Sequence, residues 1–293
     1  MKVLVIGGAG FIGRAVVAAL SARGATITIG TRRPRRPRRN RAAPRGVQLE
    51  SVELHRLIEA DDWLARIAPF DVVVNCAGIL RERWGESFDA VYRLAPMALA
   101  EACIRLDKRF IHVTALGLSL DATSGFISAK LAGERGIAAM GGLACIVRPS
   151  LINGLDGFGS RWIARVAQWP VLGVPADAVG QLAPLNVGDL GEAIAALCAC
   201  PRERLPKSVE LGGETRYRMA QYLRALRRNT RPAITFSVPG SLVRLAAHVF
   251  DVLHVTPLSW GHVELMRCDN VPREEDRFAL RHWIGRAPVP VES

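Results

Sequence analysis

The spacing of apolar residues changes twice within the first thirty positions, and these changes predict a strand, a turn, a helix and a second strand. An unbroken apolar run at residues 3–6 predicts a buried strand. It stops at a glycine-rich segment, residues 7–13, after which apolar residues recur at helical spacing as far as Gly24. The β-branched run at residues 26–29 then predicts the second strand.

The glycine-rich segment has the spacing G-x-x-G-x-x-G, which predicts a phosphate-binding turn. Gly7 lets the chain turn sharply, Gly10 lets the backbone approach a diphosphate, and Gly13 lets the helix pack closely against the sheet. The first N–H groups and the positive dipole end of the helix attract phosphate oxygens. We therefore expect a bound dinucleotide. The alternative is a structural turn in a Rossmann domain that has lost its ligand.

Strand-like and helix-like runs continue to alternate as far as residue 155. Strands are predicted at residues 48–54, 71–75, 109–114 and 143–147, and helices at residues 61–68, 88–106 and 126–140. Pro96 falls inside the longest of these helices, where it is expected to cause a kink. The alternation predicts an α/β fold, a doubly wound parallel Rossmann sheet over residues 1–155.

Residues 156–293 are less regular and are predicted to form a small, interleaved C-terminal α+β lobe that contacts a substrate or a partner. Helices are expected at residues 158–169, 191–200, 220–228, 242–253 and 259–268, and strands at residues 208–211 and 234–238.

In a parallel sheet of this kind, ligands bind beyond the carboxyl ends of the strands. The residues at and just after those ends, together with the glycine turn, are therefore the candidate cofactor contacts. They are Gly7, Gly10, Phe11, Ile12, Gly13, Thr31, Arg32, Arg33, Glu53, Leu54, Cys76, Ala77, Gly78, Ile79, Thr114, Pro149 and Ser150.

The end of the second predicted strand indicates which dinucleotide is bound. NAD-binding Rossmann domains place an acidic residue there, on the ribose hydroxyls. This chain instead has Thr31, Arg32 and Arg33, and guanidinium groups suit a 2′-phosphate. The sequence therefore favours NADP(H), with NAD(H) as the alternative. If NAD(H) is bound instead, Arg32 and Arg33 only begin a solvated loop.

The net charge of +12 is concentrated in one segment. Residues 32–45 contain eight arginines and three prolines, without aromatic residues. A nucleic-acid interface would spread its basic residues over a folded face and interleave aromatic residues, so no specific nucleic-acid partner is expected. The segment is interpreted as a solvated loop, or as an accessory site for anionic lipid surfaces.

The six cysteines show no zinc-site spacing, so no metal is expected and a reducing compartment is favoured. No apolar run is long enough to cross a membrane, and residues 1–20 have no signal-peptide pattern. These features predict a cytoplasmic protein with at most peripheral membrane contact.

Several motifs resemble the extended and atypical short-chain dehydrogenase/reductases. They are the glycine turn at residues 7–13, the Asn-Cys-Ala-Gly turn at residues 75–78 and the Arg-Pro-Ser motif at residues 148–150. Residues 112–117, 184–190 and 263–271 are similar to the branch that contains the Rossmann accessory subunit of respiratory complex I and its bacterial relatives. The resemblance implies a nicotinamide dinucleotide cofactor.

Enzymes of that family use a Tyr-x-x-x-Lys pair with a serine or threonine. The resemblance aligns Lys130 with the lysine and Phe126 with the tyrosine, and it suggests Thr114 for the hydroxyl. Phenylalanine carries no titratable proton, so the usual phenol-dependent carbonyl reduction is excluded. Lys130 is still expected to bind the nicotinamide ribose.

No convincing substitute for the phenol is evident in the sequence. Tyr92 and Tyr217 are the candidates by residue type. His112 lies within a predicted strand and is expected to be a hydrogen-bonded core residue, while Ser128 is expected on a different side of its helix from Phe126. Asp189 precedes a predicted helix and is expected to cap it or to organise the loop.

Three functions remain open at this point. The first is a structural or regulatory NADP(H)-binding protein, with a respiratory complex as a possible partner. The second is an NADPH-dependent oxidoreductase acting on a quinone or a similar apolar carbonyl, because quinone reduction can draw its proton from solvent. The third is an accessory protein that binds anionic surfaces through the arginine run.

Overall fold

Strands and helices alternate along the computed structural model, which describes residues 1–32, 47–83, 85–227, 233–253 and 259–291. The strands are β1 (Lys2–Ile6), β2 (Thr26–Thr31), β3 (Gln48–Ser51), β4 (Val72–Asn75), β5 (Arg109–Val113), β6 (Ala144–Pro149), β7 (Ile152–Asn153), β8 (Val171–Pro175), β9 (Gln181–Leu182), β10 (Leu185–Asn186), β11 (Ser208–Leu211), β12 (Tyr217–Arg218) and β13 (Ile234–Val238). The helices are α1 (Phe11–Ala22), α2 (Asp61–Ile67), α3 (Ala95–Arg105), α4 (Gly125–Met140), α5 (Phe158–Val166), α6 (Val187–Ala199), α7 (Met219–Ala225), α8 (Gly240–Leu253), α9 (Trp260–Leu265) and α10 (Ala279–Ile284).

The central sheet has the strand order β11-β6-β5-β4-β1-β2-β3, and each of these pairings is parallel. The predicted doubly wound α/β fold is therefore confirmed. The strand order reverses direction between β1 and β4, which opens a crevice at their carboxyl ends. β11, predicted as a strand of the C-terminal lobe, is the seventh strand of this sheet. The division of the chain near residue 155 stays a prediction.

Helices cover both faces of the sheet and bury two cores. On one face α1, α6 and α10 pack with strand residues such as Val3. On the other face α2, α3 and α4 pack with strand residues such as Leu4. Because both faces are covered, alternate residues of one strand enter opposite cores, and the strands have no polar face.

Helix α6 begins four residues earlier than predicted, which changes the role of Asp189. Asn186 is the N-cap, and its side chain accepts a hydrogen bond from the Gly188 N–H at 2.7 Å. Asp189 lies inside the first turn, where it accepts from Arg286 Nη2 at 2.6 Å and from the Val289 N–H at 2.7 Å. Of the two roles expected for Asp189, capping is wrong because Asn186 is the N-cap; the carboxylate of Asp189 instead holds the C-terminal segment.

Pro96, at which a kink was predicted, follows a π-helical turn, Ala90–Leu94, that leads directly into α3. Pro96 has no N–H to offer the Tyr92 carbonyl one turn earlier. Helix α4 approaches that carbonyl closely at Gly133, where an added Cβ would lie only 1.9 Å from the Tyr92 oxygen. Because Gly133 has no Cβ, α4 can pack directly against Tyr92.

Three short pairs, β10-β7, β12-β9 and β13-β8, lie outside the central sheet. In the described parts of the chain, every helix is too short or too polar to span a bilayer.

Candidate functional site

A cavity of about 710 Å³ runs along the carboxyl edge of the sheet. Fifteen of the predicted cofactor contacts line it, since parallel strands bring their carboxyl ends to one edge. They are Gly7, Gly10, Phe11, Ile12, Thr31, Arg32, Leu54, Cys76, Ala77, Gly78, Ile79, Thr114, Lys130, Pro149 and Ser150. Gly13 and Glu53 are not part of the lining, and Arg33 lies outside the described residues.

The glycine turn has the geometry of a diphosphate cradle. Gly7 has a φ of +75°, a backbone conformation that residues with a Cβ rarely adopt. A Cβ at residue 13 would lie 2.2 Å from the Gly7 oxygen, so only glycine at this position lets α1 pack closely beneath the turn. Gly10 caps α1 without a side-chain hydrogen bond, and the first turn carries no acidic residue. The N-terminal N–H groups of α1 therefore suit an anion.

The β2–β3 end of the cavity carries an ion pair. Arg32 Nη1 contacts the carboxylate of Glu86, and both residues line the cavity. The Arg32 side chain is 50% exposed, whereas that of Glu86 is 11% exposed. Glu53 instead pairs with Arg56, with its Oε2 at 3.1 Å from Arg56 Nε. Glu86 was not predicted as a cavity residue, because it lies in a loop after β4 and is adjacent to no predicted strand end.

Lys130 lies among aromatic rings on the β4–β6 side. Its Nζ is 4.6 Å from the centroid of the Tyr92 ring and 5.5 Å from that of Phe126. Burial lowers the pKa of Lys130 to about 8, although the nearby Glu134 carboxylate opposes the shift. The ammonium form therefore still predominates at neutral pH.

Tyr92 lies beside the lysine, but its hydroxyl is engaged with the backbone. The hydroxyl donates to the Ile79 carbonyl and accepts from the Ile79 N–H at 2.8 Å. Burial raises the pKa of Tyr92, and the Ile79 N–H only partly offsets this. The phenol is thus a poor source of a transferable proton.

Thr114 hydrogen-bonds to a buried ionic network. Its hydroxyl donates to Glu134 Oε2 at 2.8 Å, and Arg148 Nε donates to Glu134 Oε1 at 2.8 Å. With its proton directed at Glu134, the hydroxyl oxygen can accept a hydrogen bond from a ligand. It does not donate to a substrate oxygen in this arrangement.

Two other groups near the strand ends stay neutral. His112 is buried, its Nδ1 lies 3.2 Å from Asn75 Nδ2, and it stacks on Phe110, as expected for a core histidine. Burial, assisted by the charge of Lys130, lowers the pKa of His112 to about 3. Burial raises the pKa of the Cys76 thiol to about 12.

Helix α9 is held against the N-terminus of α4 by hydrogen bonds. Glu264 Oε1 accepts from the Thr123 N–H and hydroxyl, each at 2.7 Å, and Oε2 accepts from the Ser124 N–H at 2.9 Å. Burial raises the pKa of this carboxyl, but the hydrogen bonds outweigh it and keep the pKa below its ordinary value. Trp260 Nε1 also donates to Thr123 Oγ1 at 2.9 Å.

These contacts bring His262 into the cavity wall, a placement that the sequence analysis missed. Its ring stacks on Phe126, with the centroids 5.5 Å apart. The available signal was its position, since His262 immediately precedes the 263–271 motif. Asn270, inside that motif, joins the ends of β5 and β6 by donating to the Leu116 carbonyl at 2.7 Å and accepting from Ser150 Oγ.

The cavity lining also includes apolar side chains from the second half of the chain. Sequence analysis identified none of them individually. They are Leu151, Phe158, Trp162, Ile163, Leu182, Met219, Leu265 and Met266.

Known proteins resemble this chain in both sequence and fold. The model of the NAD dependent epimerase/dehydratase family matches residues 3–212. "Ceramide reductase" of Caulobacter vibrioides is 30% identical over 202 residues, 68% of this chain and 61% of that protein. The rat mitochondrial protein "NADH dehydrogenase [ubiquinone] 1 alpha subcomplex subunit 9" is 25% identical over 236 residues, 76% of this chain and 59% of that one. The match therefore spans about three fifths of the length of these relatives.

Solved structures share the fold across nearly the whole chain. The UDP-glucuronic acid 4-epimerase of Bacillus cereus, in complex with UDP-glucuronic acid and NAD, has a TM-score of 0.69 and 16% identity, covering 100% of this chain and 96% of that one. MoeE5 in complex with UDP-glucuronic acid and NAD has a TM-score of 0.67 and 19% identity, covering 99% and 94%. The resemblance to short-chain dehydrogenase/reductases and to the complex I subunit is confirmed.

Proposed function

Because the chain belongs to the NAD dependent epimerase/dehydratase family, we propose that it binds a nicotinamide dinucleotide and reduces an apolar carbonyl compound with it. NADP(H) is the proposed cofactor, since β2 ends at Thr31, which Arg32 follows, and neither residue is acidic. The relative named as a ceramide reductase is consistent with an apolar substrate.

The observation that carries this proposal is the continuity of the cavity. The glycine turn, Lys130 and apolar residues such as Trp162 and Met266 line one and the same cavity. A volume of about 710 Å³ is within the usual range for small-molecule sites. A protein that used its nucleotide only as a structural support would have no need for the apolar extension.

Different residues of this chain would bind the dinucleotide and orient the substrate. The N–H groups at the start of α1 would hold the diphosphate, and Lys130 would donate to the hydroxyls of the nicotinamide ribose. The apolar wall would exclude water and orient a hydrocarbon substituent of the substrate. When bound, the reduced cofactor supplies a hydride to the carbonyl carbon.

Purified protein tests the proposal in two steps. Mass spectrometry of the nucleotide released on denaturation should identify NADP(H). Absorbance of reduced nicotinamide should then fall when decanal or phenanthrenequinone is added, but not with acetaldehyde, which cannot fill the apolar part of the cavity. NADPH that binds but is oxidised by neither apolar compound would contradict the reductase proposal.

A structural role for the nucleotide is the second candidate, and the state of the aromatic residues supports it. Phe126 offers no proton, and the Tyr92 hydroxyl is engaged with Ile79. At a concentration a hundred times its Kd, NADPH would stabilise the fold by about 2.7 kcal/mol. A nucleotide that co-purifies, raises the melting temperature and is never oxidised would favour this role, with a respiratory complex as a proposed partner because of the subunit 9 relative.

Binding of anionic surfaces remains a separate proposal. Apart from Arg32, the arginine run falls in residues 33–46, outside the described part of the chain. Binding to phosphatidylserine vesicles that is lost in high salt would support it.

A further inference from the structure

A two-stranded ribbon in the second half of the chain exposes an apolar face. β8 and β13 pair in parallel, with Ile234 opposite Val171 and Phe236 opposite Gly173. Because side chains alternate along a strand, these positions lie on the same side of the ribbon. Ile234 is 70% exposed, Phe236 50% and Val171 45%. Together Val171, Ile234 and Phe236 form the outer face of the ribbon.

The inner face of the ribbon is covered by a core of the same lobe. Leu172 is buried on this face, in a cluster with Tyr222 and Leu223 of α7. Ile163 and Met219 belong to that cluster and also line the cavity. A sheet with one buried face normally carries polar residues on its solvated face. Apolar side chains on the outer face therefore indicate an interaction surface.

Helix α8 continues the exposed apolar surface along the chain. It begins two residues after the end of β13. Val243 and Ala247 pack against Trp260 of α9, whereas Leu242 and Leu245 are exposed. Residues four positions apart share one side of a helix, so residue 245 lies on the side away from α9. Both β13 and α8 thus present apolar side chains to solvent.

The sequence around the ribbon is basic. Residues 216–250 contain seven arginines and no acidic residue. Arg224 is exposed, and its Nη2 donates to Thr235 Oγ1 at 3.3 Å, which places this guanidinium beside β13. An apolar face flanked by arginines complements a surface that is apolar inside and anionic at its boundary with water.

The segment that leads into β8 adds an aromatic residue to this surface. Trp169 is exposed, and its carbonyl accepts a hydrogen bond from Arg227 Nη1 at 2.7 Å. Tryptophan is enriched at membrane–water interfaces, because its ring is apolar and its N–H is polar. The one acidic residue of the sequence 157–188 is Asp177, and its carboxylate pairs with Arg267 Nε at 2.8 Å.

We propose that the outer face of the β8–β13 ribbon docks the protein on an anionic phospholipid bilayer. The apolar side chains enter the headgroup region, while the neighbouring arginines contact lipid phosphates. A second copy of the chain fits this face less well, because it would bring two basic segments together. Docking is independent of turnover, and it brings the cavity wall that contains Ile163 towards a source of apolar compounds.

Flotation of the full-length protein with vesicles measures docking. One set of vesicles is phosphatidylcholine alone, and the other contains phosphatidylcholine and phosphatidylglycerol in equal parts. The variant Ile234→Thr/Phe236→Thr removes two apolar side chains from the outer face and keeps residues that suit a strand. Its partition coefficient on anionic vesicles should fall by about tenfold or more, because less apolar surface leaves water.

The contribution of charge is tested with Arg224→Gln. Glutamine keeps an N–H for Thr235 but removes the positive charge beside β13. The partition coefficient on anionic vesicles should fall by about fivefold, the usual contribution of one arginine near an anionic surface. Binding to phosphatidylcholine alone should be weaker than binding to anionic vesicles for the wild type.

A matched control removes one aliphatic and one aromatic side chain from other exposed positions. Ile104→Thr/Phe278→Thr changes residues on α3 and just before α10, and it should bind vesicles as the wild type does. The arginine run of residues 33–46 is present in every variant. Binding through that run alone would therefore be equal in the wild type and the ribbon variant, and high salt would abolish it.

Hydrogen–deuterium exchange of the wild type gives a second measurement, which stands even if the ribbon variant fails to fold. Amides of residues 234–238 should exchange more slowly when anionic vesicles are present. Protection confined to residues 33–46 would overturn the proposal, because the arginine run would then be the docking site.

The remaining outcomes are equally decisive. Equal flotation of the wild type and the ribbon variant overturns the proposal, as does a wild type that binds no vesicles or binds phosphatidylcholine alone equally well. A dimeric wild type with a monomeric ribbon variant, measured by sedimentation, would assign the outer face to a second copy and would also overturn it. None of these measurements contains nucleotide, so a failure of the proposed reductase function leaves them unaffected.

Discussion

Nucleotide preference should depend on the ion pair between Arg32 and Glu86. If Arg32 binds the 2′-phosphate of NADPH, Arg32→Ala should weaken NADPH binding and leave NADH binding nearly unchanged. A hydrogen bond to a charged group contributes about 1.5–3 kcal/mol. The Arg32 side chain is 50% exposed, so solvent screening favours the lower limit, about 1.5 kcal/mol, or roughly a tenfold rise in Kd.

Glu86 should have the opposite effect, because its carboxylate both occupies Arg32 and repels the phosphate. Two unit charges 4 Å apart interact by about 1 kcal/mol in water. Glu86→Gln should therefore tighten NADPH binding by about fivefold, with little change for NADH. The matched control is Arg56→Ala, which removes an arginine paired with Glu53 outside the cavity.

Isothermal titration calorimetry of NADPH and NADH against the wild type and the three variants measures these effects at one salt concentration. Two results would refute the reasoning. One is a loss of NADH affinity in Arg32→Ala as large as the loss for NADPH. The other is weaker NADPH binding in Glu86→Gln, which would mean that the carboxylate itself contacts the nucleotide.

Three other changes test the site and its supports. The pKa of Lys130 is about 8 in the folded chain and 10.5 in the unfolded chain, so the unfolded chain binds more protons between these pH values. The unfolding free energy of the wild type should therefore rise relative to that of Lys130→Met between pH 8 and pH 10.5. Denaturant titration of both proteins measures this difference. Glu264→Gln loses a buried acceptor and should cost about 2–3 kcal/mol at pH 7. Because the folded pKa of Glu264 is depressed, that difference should shrink as the pH falls below 4.5, and a constant difference would argue against the carboxylate. Gly133→Ala forces a methyl group against the Tyr92 carbonyl and should cost about 1–3 kcal/mol, whereas Gly159→Ala, with open space around it, should not lower the melting temperature.

Much of the architecture could be predicted because local patterns determine it. The Val-Val-Val run of β4 is apolar on both faces, and such a run between helices implies a covered parallel strand. Topology then places the carboxyl ends of the strands together, so Thr114 and Ser150 could be expected at one cavity without knowledge of any side-chain contact. Glu53 was misplaced in the cavity although its neighbours Val52 and Leu54 line the wall, because its own carboxylate pairs with Arg56 outside the lining.

The rest of the site depends on contacts between distant parts of the chain. Glu264 bonds to Ser124 across 140 positions, and Asn270 bonds to Ser150 across 120. No local periodicity encodes such pairs, so the sequence pattern did not predict that His262 approaches Phe126, although His262 immediately precedes the 263–271 motif. Glu86 was missed for a related reason, because only the folded loop shows its carboxylate beside Arg32.

The hydrogen bonds of Glu264 also impose an order of assembly on a chain that is being translated. Helix α4 and the Glu264 carboxylate that holds its first turn are separated by nearly half of the chain. At ~5–20 residues per second, a ribosome needs roughly 7–28 seconds to add those 140 residues. During that interval the nascent sheet can form through β6 while the wall carrying His262 is still missing. A chaperone or a nucleotide that reaches the nascent chain therefore meets the crevice without this wall, and the complete cavity forms only in chains that have extended past residue 270.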